Sequence, residues 1–121
     1  MKGYELEIRL IDFASRIMDM AEALPQSFAA KYLGTQIIRS ASSPALNYGE
    51  AQAAESKDDF IHKMKICQKE LRETSVCLKL IAKRPWFGPD KLTPLINENN
   101  ELSTISFFIG CIKHVIQYKR R

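Results

Sequence analysis

The sequence predicts an all-α protein, an antiparallel up-down-up-down four-helix bundle. Apolar residues recur at alternating spacings of four and three along four long segments, which is the period of one helix face. Turn-forming residues are sparse, with five glycines and five prolines among 121 residues, and short connections favour antiparallel neighbours. We predict a single domain, residues 1–121, with helices at about 4–24, 27–54, 57–84 and 94–118.

The first predicted helix is amphipathic. Most of its charged residues fall opposite an apolar stripe formed by Leu6, Leu10, Phe13, Ile17, Met20 and Leu24. Pro25 ends this helix, because the residue before a proline is pushed away from the α region. Either Gln26 or Ser27 then begins the second helix.

The second predicted helix contains a proline. Its apolar residues are Phe28, Tyr32, Leu33, Ile37, Ile38, Ala41 and Leu46. Pro44 lacks the N–H that would bind the carbonyl of Ser40, so we expect a kink or a loosened turn rather than a full break. The hydroxyls of Ser40, Ser42 and Ser43 can form hydrogen bonds around this defect.

The third predicted helix has the clearest pattern. An unbroken stripe is formed by Phe60, Met64, Cys67, Leu71, Thr74, Leu78 and Ile81. Ser56 is a favourable N-cap, and Asp58 and Asp59 lie where the helix dipole favours acids. The helix ends before the one pronounced loop, which runs from Pro85 to Pro89.

The fourth predicted helix uses Thr93 as its cap and Pro94 as its first residue. One face carries Leu95, Leu102, Ile105, Ile109, Ile112 and Ile116. Phe107, Phe108 and Val115 extend the apolar character beyond that face. This breadth fits a helix that is buried on two sides, by its own bundle and by a neighbouring subunit.

Net charge, cysteine content and hydropathy indicate the cellular location of the protein and the class of its partners. A net charge of +4 and a pI near 9.0 mildly favour polyanionic partners such as nucleic acid. Three cysteines without close spacing argue against a disulfide framework and favour a reducing compartment. The chain begins without a signal-peptide core, and no stretch approaches the ~20 apolar residues of a membrane span. We therefore expect a cytoplasmic protein with no membrane partner.

Two segments of the second and third predicted helices carry spaced sequence signatures. The first is 36–50, which includes the residues Gln36, Arg39, Ser40, Ser43, Pro44, Asn47 and Glu50. The second is 59–74, which ends in Lys-Glu-Leu-Arg-Glu-Thr. Together they resemble the family named for proteins encoded in intervening sequences of bacterial 23S ribosomal RNA genes, and the end of the second segment is similar to one branch of that family. Two departures are Gly49-Glu50-Ala51, where members commonly carry Ala-Glu-Gly, and Tyr48 in place of a small aliphatic residue.

The resemblance, which covers essentially the whole chain, implies an antiparallel four-helix bundle that assembles as a homopentamer with a central channel. Related proteins include the accessory variability protein of diversity-generating retroelements, which is basic and binds nucleic acid and its reverse transcriptase. The resemblance thus implies a quaternary state and a possible link to nucleic acid, but no reaction.

A basic stripe on the third helix is the candidate nucleic-acid surface. Its members follow helical spacing and are Lys65, Lys69, Arg72, Lys79 and Lys83. Such a ladder can track a phosphate backbone, and Lys113 and the tail 119–121 can extend it. The alternative is an ordinary solvated face, with Glu70 and Glu73 supplying ion pairs at helical spacing.

The resemblance also marks a set of signature or interface residues. They are Gln36, Arg39, Ser40, Ser43, Asn47, Glu50 and Glu73. Arg39, Asn47 and Glu50 either line a polar groove or pore, or satisfy the backbone opened by Pro44 and tie subunits together. The structural interpretation is favoured, with Arg39 pairing with Glu50 or with an acid of another helix.

Two aromatic residues lie in the loop between the third and fourth helices. Trp86 and Phe87 either stack on bases and anchor a partner, or fold back to cover the open end of the bundle. The second arrangement is the commoner one for such residues.

Catalysis has little support in the sequence. Cys111 and His114 share a helical face, but two ligands make half a zinc site at best, and His62 has no nearby ligand set. Cys67 falls in the core stripe, where thiols are usually inert packing. We predict no catalytic residue, no metal site and no cofactor.

These observations predict a non-catalytic oligomeric bundle protein that binds RNA or DNA through its basic surface. The alternative is a protein–protein adaptor or scaffold without a nucleic-acid role, whose partner sits on the apolar fourth helix or the Trp86 loop. The sequence identifies neither the physiological ligand nor the subunit interface.

Overall fold

A computed structural model describes the backbone of residues 3–119 and the side chains of residues 3–111. It contains four helices, α1 (Gly3–Glu22), α2 (Phe28–Gln52), α3 (Lys57–Ala82) and α4 (Pro89–Lys119). Residues 3–119 include no β-strand, which confirms the prediction of an all-α protein with four helices. Among these residues, no helix combines the length and the apolarity that crossing a membrane requires.

Serine caps set the starts of α2 and α3. The Ser27 side chain accepts a hydrogen bond from the Ala30 N–H at 3.2 Å, and the Ser56 side chain accepts one from the Asp59 N–H at 3.0 Å. Each cap satisfies a donor that has no partner within the helix. Of the two predicted starts for the second helix, Ser27 is therefore the correct one.

Helix α2 continues through Pro44 to Gln52. The Ser42 hydroxyl donates to the Ile38 carbonyl at 2.6 Å, and the Cys67 thiol donates to the Pro44 carbonyl at 3.5 Å. Pro44 itself is buried in the bundle. The proline therefore lies inside a helix that is held by packing against α3, so the lost backbone bond does not end it.

The fourth helix begins earlier than predicted. It starts at Pro89 rather than at residue 94, and Pro94 lies inside it. Pro89 is tolerated in the first turn, where its missing N–H has no helical partner anyway. The Gly88 carbonyl accepts bonds from the N–H groups of Lys91 and Leu92, which closes that first turn. Two prolines near one helix start made the sequence signal ambiguous, and the first of them defines the boundary.

Packing follows the order of the helices along the chain. Helix α2 packs against α1 and α3, α3 packs against α4, and α1 closes more lightly against α4. Contacts across the α2–α3 boundary include Ser40 with Thr74, Pro44 with Cys67, and Glu50 with Lys63. The residue number in α3 falls as the number in α2 rises. The Arg9 guanidinium donates two hydrogen bonds to the Glu98 carboxylate, at 2.6 and 3.2 Å, and so ties α1 to α4.

The core is one continuous apolar cluster with contributions from all four helices. Every member of the stripe predicted for α3 is buried, including Thr74. The pattern predicted for α2 is only partly buried, because Phe28, Tyr32 and Leu46 are 94%, 61% and 71% exposed. The buried face of α2 combines large and small side chains. These are Ala30, Leu33, Gly34, Ile37, Ser40, Ala41, Pro44, Tyr48 and Ala51.

Candidate nucleic-acid interface

All five cations of the basic stripe are exposed, four of them on α3 and Lys83 at its C-cap. The buried stripe of the same helix turns Lys65, Lys69, Arg72, Lys79 and Lys83 away from the core. Their side chains are long and flexible, so they can adapt to a phosphate backbone. Burial on the opposite face of α3 thus fixes where these positive charges lie.

The two acids expected to neutralise this stripe have another partner. Arg39 of α2 reaches across to α3, where its guanidinium lies 3.1 Å from Glu70 and also pairs with Glu73. Among the residues that the structure describes, no cation of the stripe forms an ion pair. The interpretation in which Glu70 and Glu73 pair with the stripe is therefore wrong. Arg39 takes both acids because it approaches α3 from the side that carries them.

Three of the five cations line a groove between α3 and α4, which we call the α3–α4 groove. It has a volume of about 670 Å³ and is lined by Lys65, Gln68, Lys69, Arg72, Ser103, Thr104 and Phe107. Lys79 and Lys83 lie farther along α3 and do not line it. The structure therefore divides the predicted stripe into a groove part and a part on the open helix surface.

A smaller pocket adjoins this groove and shares Lys65, Gln68 and Phe107 with it. This side pocket has a volume of about 220 Å³ and is also lined by Ile61, Met64, Ser106, Gly110 and Cys111. The Ser106 side chain is 1% exposed, and its hydroxyl has no hydrogen-bond partner among the described residues. An unpartnered buried hydroxyl is costly, so its position beside an open groove is a notable feature.

The signature residues of α2 mostly make contacts inside the bundle. The Ser40 hydroxyl lies 2.8 Å from that of Thr74, and the Asn47 side-chain amide donates to the carbonyl and hydroxyl of Ser43 at 3.0 and 2.9 Å. The Gln36 side chain is half-buried. These contacts agree with the structural interpretation of the signature, in which polar groups near Pro44 satisfy one another.

Arg39 and Glu50 are each drawn to α3 rather than to each other. Glu50 accepts a hydrogen bond from Lys63 at 3.0 Å, which raises the pKa of Lys63 because the carboxylate favours the charged amine. Of the two partners predicted for Arg39, the acid of another helix is the one found. Arg39, Asn47 and Glu50 therefore do not pair with one another, and each has its own partners.

The aromatic residues of the loop after α3 fold inward. Trp86 and Phe87 are half-buried and pack against the core. The Arg84 guanidinium lies 5.6 Å from the centre of the Trp86 ring, within cation–π distance. This arrangement agrees with the interpretation in which the loop covers the bundle.

Chemically reactive groups are few in the described part of the chain. Residues 3–111 contain no cluster of three or more potential metal ligands. Burial raises the pKa of the Cys67 thiol to about 12, so it remains protonated at neutral pH. His114, Lys113 and the basic tail 119–121 lie outside the described side chains, as do the predicted apolar residues Ile112, Val115 and Ile116.

Sequence reasoning missed two features. The first is the α4 wall of the groove, where Ser103, Thr104 and Phe107 face the cations of α3. Their signal was the polar residues between the apolar ones of α4, but only the packing of two helices brings them to the stripe. The second is an exposed apolar row on the outer face of α1, formed by Tyr4, Ile8, Ile11 and Met18 at helical spacing. We call it the α1 outer row.

Comparison with known proteins identifies the family. Residues 6–106 match the family model described as 23S rRNA-intervening sequence protein. A solved structure, that of a protein of unknown function from the S23 ribosomal protein family of Bacteroides thetaiotaomicron VPI-5482, is similar with a TM-score of 0.84 and 28% identity. The match covers 91% of this chain and 98% of that one. No curated protein matches the chain. The family match spans most of the sequence, and the chain therefore belongs to the family of 23S rRNA-intervening sequence proteins.

Proposed function

We propose that this chain is a non-catalytic oligomeric bundle protein that binds RNA or DNA through the exposed basic face of α3. The proposal rests on the fact that the cations of this face have no ion-pair partner among the described residues. Five cations lie on one exposed helix face without an ion pair among the described residues, while Arg39 holds the two nearest acids. A polyanion binding there replaces counterions rather than breaking existing ion pairs.

Further support comes from the family and from the overall charge. The chain has a net charge of +4, and it resembles the accessory variability protein of diversity-generating retroelements, which binds nucleic acid. The family name refers to genes that lie in intervening sequences of ribosomal RNA genes, and the location of a gene does not define the activity of its protein. We therefore propose nucleic acid as the ligand class without restricting it to ribosomal RNA. We also propose a cytoplasmic location, which the three free cysteines support.

We propose an antiparallel up-down-up-down arrangement and assembly into a homopentamer. Successive residues of α2 contact residues of α3 with successively lower numbers, which supports antiparallel packing of these two helices. The α1 outer row supports self-association, because exposed apolar residues that share one helix face often mark an interface. Repeating the basic face five times around a ring raises avidity for a long polyanion.

The test of binding is fluorescence anisotropy of a structured RNA titrated with the protein from low to physiological salt. We expect Lys69→Glu with Arg72→Glu to weaken binding by at least about tenfold and to flatten the salt dependence. A matched control with the same change in net charge is Arg16→Glu with Lys31→Glu, two exposed residues on α1 and α2. Equal losses in both double variants would reduce the effect to net charge and remove the proposed site.

The test of assembly is the mass in solution by light scattering after gel filtration. We expect five times the subunit mass of 13.8 kDa. Ile8→Glu with Ile11→Glu should dissociate the assembly, whereas the charge-reversed α3 variant should not. A monomer for the unchanged protein contradicts the proposed pentamer.

A second candidate function, a protein–protein adaptor, is favoured by one observation. Phe108 on α4 is 60% exposed and lines neither the groove nor the side pocket. An adaptor would lose its partner on Phe108→Ala or Trp86→Ala and keep it in the charge-reversed α3 variant. Pull-down of a partner with the second pattern, together with no RNA binding at physiological salt, would replace the first proposal with this one.

A further inference from the structure

The α3–α4 groove combines cationic and aromatic side chains. One wall carries Lys65, Lys69 and Arg72, and the other carries the exposed ring of Phe107. A ligand that contacts both walls needs a negatively charged part for the cations of α3 and a flat apolar part for the Phe107 ring. A nucleotide has this division, because its phosphate is charged and its base has a stacking face.

The cations define a short backbone track. Lys65 and Arg72 are seven residues apart in one helix, which corresponds to about 10 Å along its axis. This length accommodates two or three nucleotides of an extended strand. With three phosphates contacted, the logarithm of the affinity should fall with the logarithm of salt at a slope of about −2 for a single strand.

Phe107 is positioned to receive a base. Its ring is 56% exposed although an apolar ring gains from burial, and it borders both the groove and the side pocket. Exposed aromatics next to cations are the stacking elements of proteins that bind single strands. In a duplex the bases stack on one another, so no base face is available to this ring.

The side pocket supplies polar groups beyond the ring. The buried Ser106 hydroxyl has no partner among the described residues, and the half-buried Gln68 amide lines both cavities. A hydroxyl and an amide can each donate and accept hydrogen bonds, so they can meet the polar edge of any base. These two groups, independent of the cations and the ring, are suited to a ligand with a polar rim.

We propose that the α3–α4 groove binds an unpaired stretch of nucleic acid, with a base stacked on Phe107 and the backbone along Lys65, Lys69 and Arg72. The inference rests on the proposed function and specifies its ligand class. It assigns Phe107 the role of selecting single strands over duplexes, while the cations supply affinity for either form.

The test uses one labelled oligonucleotide, offered alone and as a duplex with its complement, in anisotropy titrations at several salt concentrations. We expect the single strand to bind more tightly than the duplex. Phe107→Ala should weaken single-strand binding about tenfold and leave duplex binding unchanged. The matched control is Phe108→Ala, which removes an equally exposed ring from the next residue and should change neither.

Two further variants separate stacking from folding. Phe107→Leu keeps an apolar side chain without an aromatic face and should lose as much affinity as Phe107→Ala, whereas Phe107→Trp should retain it. Equal binding of single strand and duplex, or equal effects of the Phe107 and Phe108 variants, overturns the inference. If the Lys69 and Arg72 charge reversal still abolishes binding in that case, the proposed function stands. If neither oligonucleotide binds the unchanged protein, both proposals fail.

Discussion

The Ser40 hydroxyl on α2 lies 2.8 Å from the Thr74 hydroxyl on α3, and both side chains are completely buried. The Thr74 hydroxyl can donate to the Glu70 carbonyl at 3.0 Å and the Ser40 hydroxyl to the Ile37 carbonyl at 3.4 Å, so either hydroxyl can supply the proton that lies between the two. This polar pair lies within the apolar contact between the two helices and fixes their register one turn before Pro44.

A double-mutant cycle on this pair should show coupling. Ser40→Ala and Thr74→Val should each lower the free energy of unfolding by about 1–2 kcal/mol, because each leaves a partner without its bond. The double variant should lose less than the sum, with a coupling of about 0.5–1.5 kcal/mol. Urea unfolding followed by circular dichroism measures all four proteins. Strict additivity would mean that the two hydroxyls do not stabilise each other.

Removing Arg39 should weaken nucleic-acid binding although Arg39 lies outside the groove. Arg39→Ala releases Glu70 and Glu73, and Glu73 lies one helical turn from Lys69 on α3. We expect a few-fold loss of affinity that shrinks at higher salt, and a loss of stability below about 1 kcal/mol, because Arg39 is half exposed.

The control for this variant restores the charge. Arg39→Ala with Glu73→Gln has the net charge of the unchanged protein and lacks one of the two released acids, the one a helical turn from Lys69, so most of its affinity should return. Anisotropy titrations of both variants against the same RNA make the comparison. If the second substitution has no effect, Arg39 does not act by sequestering Glu73.

Stability should fall in alkaline solution because of the buried thiols. Burial raises the pKa of Cys67 from an ordinary value of 9.0 to about 12, and burial also raises the pKa of Cys77. The folded state therefore holds these protons more tightly than the unfolded state, and their stabilisation is lost as pH rises from about 9 towards 12. Urea unfolding between pH 8 and pH 10 should show the decrease.

The contribution of Cys67 can be isolated by substitution. One such group accounts for at most about 1.4 kcal/mol per pH unit. Cys67→Ala should make the alkaline decrease shallower, although it lowers stability at neutral pH by leaving a small cavity. Cys111→Ala, at an exposed position, is the control. The same slope in all three proteins would exclude Cys67 as the source.

Thiol labelling should distinguish the three cysteines. Cys67 and Cys77 are buried and Cys111 is exposed. In the folded protein a thiol-specific chromogenic reagent should react rapidly at one site, and Cys111→Ser should abolish that rapid phase. All three thiols of the unchanged protein should react in denaturant. Rapid labelling of two sites in the folded Cys111→Ser variant would contradict the burial of the α3 cysteines.

The sequence predicted the number of helices and most of the core, because burial of one helix face leaves a regular apolar period. The α3 stripe from Phe60 to Ile81 is the clearest case, since all its predicted members are buried. The period of the apolar residues shows which residues share a helix face. It does not show which face of the helix the other helices bury. Phe28 and Leu46 of α2 therefore entered the predicted pattern although both are exposed, and the α1 outer row was overlooked.

The candidate site was only half predictable for the same reason. The cations of α3 are neighbours along one helix, so their spacing is visible in the sequence. Phe107 and Ser106 join them only through the packing of α4 on α3, which depends on the rotation of both helices. The ion pairs of Arg39 likewise depend on how α2 meets α3, and this is why the acids were assigned to the wrong cations.

Because Arg39 of α2 pairs with Glu70 and Glu73 of α3, the basic face of α3 cannot be reproduced by a peptide of α3 alone. A synthetic peptide covering 57–82 carries four of the five cations, all but Lys83, and lacks the α2 side chain that pairs with Glu70 and Glu73. In such a peptide Glu70 and Glu73 are free to pair with neighbouring lysines of the same helix. Its affinity for nucleic acid should therefore be lower than that of the folded protein. The electrostatic character of α3 belongs to the pair of helices, and only the intact bundle displays it.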